Sequence, residues 1–274
     1  MSPLPEAKRI FITGASTGLG RAAALLFASR GWRVVATMRR PKAAATLHGV
    51  PGVTLAELDV TLPEQITAAT RAALADGPVD VVFNNAGYGL AGPLEGTSDE
   101  QLVTEVNTNL LGVIRTTQAF IPAFRERGGG LFINTTSIGG LVTFPFNSVY
   151  HATKWALEGF SESMAFELSR FGIGVKTIAP GGIDTDFVSR SMVLAQHPAY
   201  AALVAQTMAA FADPGRAVRR STAEQIAEVV YQAATDGKRQ LRYVAGEDAK
   251  ALYAQRLAVG DEAFRAAIDQ TFLG

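Results

Sequence analysis

At 274 residues, with 48% hydrophobic and 18% charged side chains, the chain is long enough to bury a sizeable core and too apolar to stay disordered. Lysine plus arginine equals aspartate plus glutamate at 25 each, a balance that leaves no basic footprint for nucleic acid. Cysteine is absent, which excludes disulfides, thiolate metal sites and a cysteine nucleophile, and no metal site is expected.

The first residues, MSPLPEAKRIFITG, lack the basic start and long apolar core of a signal peptide. The most apolar window, AAALLFASRGWRVVATM, is cut by Arg30, Gly31 and Arg33, so no membrane span is expected. A soluble cytoplasmic protein is the resulting expectation. Asn134-Thr135-Thr136 matches a glycosylation sequon, but it falls inside an expected strand and is read as a coincidence.

No internal repeat or linker divides the sequence. Apolar runs predict strands at Arg9–Thr13, Arg33–Thr37, Val53–Leu58, Val79–Phe83, Gly130–Thr136, Val175–Ala179 and Leu241–Val244. Helical patterns lie between them, near 19–30, 63–76, 98–126, 149–170 and 222–235. The alternation predicts an α/β fold, a Rossmann-type doubly wound parallel sheet of about seven strands with helices on both faces. The whole chain, 1–274, is read as a single domain. Such sheets bind ligands beyond the carboxyl ends of their strands.

The first strand runs into TGASTGLG, which places Gly14, Gly18 and Gly20 between a strand and a helix. Glycines there allow a tight turn and a close approach to a pyrophosphate, which the helix N-terminus attracts. Ser16, Thr17 and Leu19 complete that turn as candidate cofactor contacts. The same residues also match a nucleophile elbow around Ser16. That rival is disfavoured, because the elbow would precede any strand able to supply a second oxyanion donor, and only His48, His151 and His197 are available as its base.

At the end of the second strand Thr37 stands where an acid would bind ribose hydroxyls, followed by Met38, Arg39 and Arg40. Guanidinium groups match a 2′-phosphate in charge and fork geometry, and a hydrogen bond to a charged group contributes roughly 1.5–3 kcal/mol. NADP(H) is therefore expected over NAD(H), the alternative being two solvated arginines. Asp59, with Val60 beside it, suits the adenine edge or a helix cap. Asn85, Ala86 and Gly87 after the fourth strand form a turn or line the cofactor cleft.

Ser137 precedes Tyr150 by thirteen residues, and Lys154 follows Tyr150 by four. On a helix the tyrosine and lysine share one face. A phenol titrates near ~10 in water, and a neighbouring ammonium favours its anion. The pair therefore suits a tyrosine that exchanges a proton, with a serine hydroxyl close by.

Together these segments resemble the short-chain dehydrogenase/reductase superfamily. TGASTGLG resembles its cofactor motif and NNAG its fourth-strand motif, while Asn109, Ser137, Tyr150 and Lys154 match its catalytic tetrad. Pro180, Gly181, Ile183 and Thr185 match the segment around the nicotinamide. The resemblance implies that Tyr150 is the general acid or base and that Lys154 lowers its pKa and binds the ribose. It implies that Ser137 holds the substrate oxygen and that Asn109 anchors a water in the relay. Within the family, the stretch from Ser137 to Leu168 is similar to 17β-hydroxysteroid and retinol dehydrogenases.

Family members often pair the catalytic helix with its copy, so a homodimer or homotetramer is implied. Ala156, Phe160, Met164 and Leu168 form an apolar row that suits either such a contact or the core. Specificity is expected from an insertion at about 184–220, and the C-terminal helices at about 247–272 are read as covering the site or a dimer edge. Phe144, Phe187 and Met192, with Ser137 and Tyr150, are the candidate contacts to a hydrophobic carbonyl or alcohol substrate. Arg216, Arg219 and Arg220 are read as a solvated turn before contacts to an acidic group, and Tyr88, Trp155 and His151 as packing or solvated groups. The rival functions are a non-catalytic NADP(H)-binding regulator and an NAD(H)-preferring dehydrogenase.

Overall fold

Seven strands lie side by side in the computed structural model, which describes residues 7–184, 192–213 and 220–274. They are β1 (Arg9–Ile12), β2 (Arg33–Met38), β3 (Val53–Glu57), β4 (Val81–Asn84), β6 (Gly130–Thr135), β7 (Ile173–Pro180) and β11 (Arg242–Ala245), all paired in parallel. Their order across the sheet is β3-β2-β1-β4-β6-β7-β11. Ile10 of β1 is opposite Val34 on one side and Val81 on the other. The chain thus winds outward in both directions from β1, and the crevice opens at that switch point.

The strands fall where the apolar runs predict, and the reason is burial on both faces. Every residue of β1 is buried, and in β2 only Arg33 is exposed. One face carries α1 (Gly18–Ser29) and α7 (Ala223–Thr235), whose alanines pack over Ile10, Ile12, Val34 and Phe83. The other carries α2 (Pro63–Ala75), α4 (Gly112–Arg127) and α5 (Ser148–Leu168). There Phe11, Phe120, Phe124 and Phe132 stack in series with ring centroids 4.9, 6.2 and 4.9 Å apart. Each fully buried phenylalanine contributes roughly 1.5–3 kcal/mol through burial.

The expected helix over 98–126 is divided. A capping box between Ser98 and Gln101 starts α3 (Asp99–Val106), as that sequence pattern dictates. A π-helical turn, Asn107–Leu111, then separates α3 from α4. Such a widened turn re-aims a side chain, here that of Asn109.

The insertion holds α6 (Ala201–Phe211) and short strands that tie it to the frame. β5 (Gly89–Ala91) pairs with β9 (Met192–Leu194), and β8 (Ile183–Asp184) pairs with β10 (Ser221–Thr222). Two helices, α8 (Glu247–Val259) and α9 (Asp261–Phe272), follow β11. They bury Ala249 and Phe264 against Ile138, Leu141 and Val142. Among the described residues no helix is long and apolar enough to cross a membrane.

The row Ala156–Leu168 belongs largely to the core: Met164 and Leu168 are buried with Phe120 and Phe132, and Phe160 packs against them. Asn134 of the sequon is fully buried, its amide donating to Ser161 Oγ and its Oδ1 accepting from Asn84. No glycosyl transfer reaches it.

Candidate active site

The glycine turn and the segment after β4 clasp each other. The Thr13 hydroxyl accepts from the backbone N–H groups of Asn85 and Ala86, each at 3.0 Å. The Asn85 amide in turn donates to the carbonyls of Thr13 and Gly14, both at 3.1 Å. Gly14 has φ +68°, and a β-carbon there would lie 2.7 Å from Ala86 Cα. Both the backbone conformation and the close approach therefore require glycine. Thr17 begins α1 without capping it, and the first turn carries no acid. The first N–H groups of this helix are left to an outside acceptor, which suits an anion.

A cleft of about 1270 Å³ runs over this turn, lined by Gly14, Ser16, Thr17, Gly18 and Leu19. It continues past Met38, Arg39, Asp59, Val60, Asn85, Ala86 and Gly87 to Ser137, Tyr150, Lys154, Pro180, Gly181 and Ile183. Two expected contacts stand off its wall. Gly20 packs behind the turn, where a β-carbon would lie 2.4 Å from Gly14 O. Arg40 is exposed and opens the short helical turn Pro41–Ala43, which leads the chain away.

Thr37 is buried and donates its hydroxyl to Ile12 O at 2.9 Å, so it braces β2 against β1 and does not reach the cleft. Asp59 Oδ1 accepts from both the N–H and the hydroxyl of Thr61, at 2.9 and 2.7 Å, which caps the turn before α2 while the residue still lines the cleft. Thr185 and Phe187, with Val188, Arg216 and Arg219, lie outside the described residues.

At the far end of β6 and on α5 three tetrad residues meet in the cleft. Ser137 Oγ accepts from Gly139 N at 3.0 Å. Lys154 is 6% exposed, donates from Nζ to Thr135 O at 3.0 Å, and stands 5.7 Å from the centre of the Tyr150 ring. Burial lowers Lys154 to about 8, against the opposing charges of Glu105 and Glu158. Burial pushes Tyr150 up to about 12; the Ser137 hydroxyl pulls it down and the charge of Glu105 adds to the rise. A phenol so placed holds its proton at neutral pH, and it can release that proton only where a cation stabilises the anion.

The fourth member, Asn109, is fully buried beneath the cleft wall. Its Oδ1 accepts from Tyr88 N at 3.0 Å, while Nδ2 donates to Tyr88 O at 2.7 Å and to Glu105 Oε1 at 2.9 Å. Gly87 sits between Asn109 and Lys154: a β-carbon there would be 3.0 Å from Asn109 Oδ1 and 3.8 Å from Lys154 Nζ.

His151 is buried, kept near 4 by desolvation, and accepts weakly from Phe144 N at 3.5 Å. His48 contacts Pro41 O at 3.2 Å and His197 pairs with Glu95 at 3.6 Å. All three histidines are engaged away from Ser16, and the nucleophile-elbow reading fails for want of a base.

Beyond the tetrad the cleft becomes apolar. Phe144 and Met192 line it, joined by Val193, Phe211, Phe264, Ile268 and Phe272. Phe144, Phe211 and Phe272 form a triangle with centroids 5.7, 5.6 and 4.7 Å apart. Asp248 accepts from Gly182 N at 2.7 Å and pins the Gly181-Gly182 bend. Sequence reading gave Tyr88 no site role and did not single out Glu105, Asp248 or the individual α9 side chains. Only the last left a visible signal, since Phe264, Ile268 and Phe272 recur every four residues.

Residues 8–192 match the short chain dehydrogenase family. The chain belongs to that family. This short chain dehydrogenase is 37% identical over 231 residues to an uncharacterized oxidoreductase of Schizosaccharomyces pombe, covering 84% of this chain and 97% of the relative. Over 192 residues it is 38% identical to human 17-beta-hydroxysteroid dehydrogenase type 1, covering 66% of this chain and 58% of the human protein. The structure superposes on a short-chain dehydrogenase from Streptomyces avermitilis with a TM-score of 0.84, 33% identity, and coverage of 98% and 97% of the two chains. A short chain dehydrogenase from Burkholderia cenocepacia in complex with NADP gives 0.76, 27% identity, and coverage of 96% and 98%.

Proposed function

We propose that this short chain dehydrogenase interconverts a hydroxyl and a carbonyl on a hydrophobic substrate, using NADP(H). The observation that carries the reading is the position of Ser137, Tyr150 and Lys154 where the glycine-lined cleft meets the apolar end. Chemistry on a small polar group at the tip of an apolar molecule needs that arrangement.

The residues fit a dinucleotide. The uncapped start of α1 suits the pyrophosphate, and Asp59 and Val60 suit the adenine. Arg39, which has no salt bridge among the described residues, is free to take a 2′-phosphate. Support for NADP(H) also comes from the NADP-bound Burkholderia relative. Pro180, Gly181 and Ile183 would flank the nicotinamide. When bound, the nicotinamide supplies or accepts the hydride.

The chain's own residues manage position and proton. Ser137 donates a hydrogen bond to the substrate oxygen. Tyr150 passes its phenolic proton to that oxygen during reduction and recovers it during oxidation. Lys154 stabilises the intervening phenolate, a role consistent with its burial and closeness to the ring. Asn109 holds the Tyr88 backbone that borders the cleft.

We further infer a homodimer or homotetramer, since Trp155 and Phe166 on α5 are 42% and 73% exposed.

The test is NADPH consumption across a panel of apolar ketones and aldehydes, with NADH in parallel. Turnover is expected, and Tyr150→Phe should lose about 10²–10⁴ of it while NADPH binding persists. Tight NADPH binding without turnover on any carbonyl or alcohol would instead favour a regulator. Full activity in the phenylalanine variant would remove Tyr150 from the chemistry.

A further inference from the structure

Glu105 is a carboxylate buried beside the cleft rather than at the surface. It is fully buried, one turn before Asn109, on the face of α3 turned toward α5. Its Oε1 accepts from Asn109 Nδ2 at 2.9 Å, and the Tyr88 hydroxyl is the other polar group acting on the carboxyl. Burying a carboxylate costs a fold free energy, and buried carboxylates with shifted proton affinity concentrate at functional sites.

The groups around it are those of the active site. Lys154 and Tyr150 feel its charge from α5, and the Tyr88 hydroxyl faces it from the segment after β4. A further acid, Glu158, acts on Lys154 and is bonded to Arg242 at 2.8 Å, so its charge is already matched. Among the described residues Glu105 has no such arginine.

We propose, building on the oxidoreductase reading above, that Glu105 is a positioning residue of the proton-transfer machinery. It holds the Asn109 amide in place, and its charge sets the pH range over which the Tyr150–Lys154 pair works. Burial pushes Glu105 up to about 7, with Lys154 and the Tyr88 hydroxyl pulling the other way. Above that pH the carboxylate is charged, and it raises the proton affinity of both Lys154 and Tyr150. The sign is therefore the same whichever group sets a limb of the pH profile: removing the charge moves the profile to lower pH, in reduction and in oxidation alike.

The experiment compares the pH dependence of kcat/KM for wild type and Glu105→Gln, which keeps an acceptor for Asn109. The expected result is a shift of the alkaline limb for reduction to lower pH by about one unit, the size of a neighbouring charge effect, with NADPH affinity retained. A lower rate with an unmoved limb would make Glu105 purely structural and overturn the proposal. A second measurement needs neither turnover nor a folded variant: carbon-13 NMR titration of glutamate carboxyls in the wild type. One carboxyl titrating near 7 supports the assignment; none titrating above about pH 6 overturns it. If the wild type reduces no carbonyl, the oxidoreductase reading falls, and the carboxyl titration still decides the state of Glu105.

Discussion

Asn109 and Tyr88 are joined by a reciprocal pair of hydrogen bonds, the asparagine amide accepting from the tyrosine N–H at 3.0 Å and donating to its carbonyl at 2.7 Å. The side chain thereby imitates a neighbouring strand. The π-helical turn Asn107–Leu111 is the distortion that brings it within reach.

Replacing Asn109 by alanine leaves the Tyr88 N–H and carbonyl without their side-chain partner and removes one donor from the Glu105 carboxyl. A loss of roughly 1–3 kcal/mol in stability is expected for each group left unmet, and turnover should fall at least tenfold. Thermal denaturation and steady-state kinetics on Asn109→Ala check this; a variant with wild-type melting and activity would show that the pair is idle.

Arg39 lines the cleft and Arg40 stands off its wall, so under the proposed use of NADP(H) Arg39 is the arginine to test. Arg39→Ala should weaken NADPH binding by about 10–100-fold, the equivalent of one charged hydrogen bond, and leave NADH binding unchanged. Arg40→Ala should change neither. Titration calorimetry with both nucleotides separates these outcomes, and equal losses for NADH and NADPH would contradict a 2′-phosphate contact.

The strands were legible because burial on both faces leaves unbroken apolar runs such as Arg9–Ile12, and the Tyr150–Lys154 pair because spacing along one helix face is a local property. Asn109 and Ser137, by contrast, were legible only through the family resemblance. What escaped depends on groups remote in sequence. Thr37 stands in the sequence where an acid would be, and only the fold shows its hydroxyl turned onto Ile12 O, 25 residues away. The division of the helix over 98–126 follows from Asn109 reaching Tyr88, 21 residues earlier. Glu105 carried no signal in the sequence, since glutamate is seldom buried. The row through Met164 and Leu168 fits core or partner equally well until the helices packed against it are known.

Phe211 closes the apolar end without being wholly buried, with Phe144 and Phe272 at 5.7 and 4.7 Å. Phe211→Ala should therefore favour bulky carbonyls over small ones by about 10-fold in kcat/KM, the scale of a change in apolar pocket volume. Phe272→Ala, at 1% exposure, should instead cost roughly 3–5 kcal/mol of stability. Competition assays with a small and a bulky ketone check the first, and denaturant melts the second.

Away from the site, Lys176 donates to Asp236 Oδ1 at 2.6 Å and Tyr243 donates to Oδ2 at 2.7 Å. Burial alone would raise Asp236, but bonds from Lys176 and Tyr243 outweigh it and hold the carboxyl at about 2. A depressed acid stabilises the fold above its unfolded value of 3.8, and that contribution fades as pH falls toward about 2. Asp236→Asn should thus be less stable at neutral pH by roughly 1–3 kcal/mol, with the gap closing across that acid window. Melting curves of both proteins over the window test it, and a gap independent of pH would count against the ion pair.

The clasp in which the Thr13 hydroxyl takes two N–H groups, 72 and 73 residues downstream, also bears on how the chain reaches its native state. Parallel strands form few contacts between near neighbours, and loop closure over such separations is slow. β1 must register with β4 before the glycine turn has anything to lean on. A refolding molecule should therefore gain helical signal first and nucleotide affinity last.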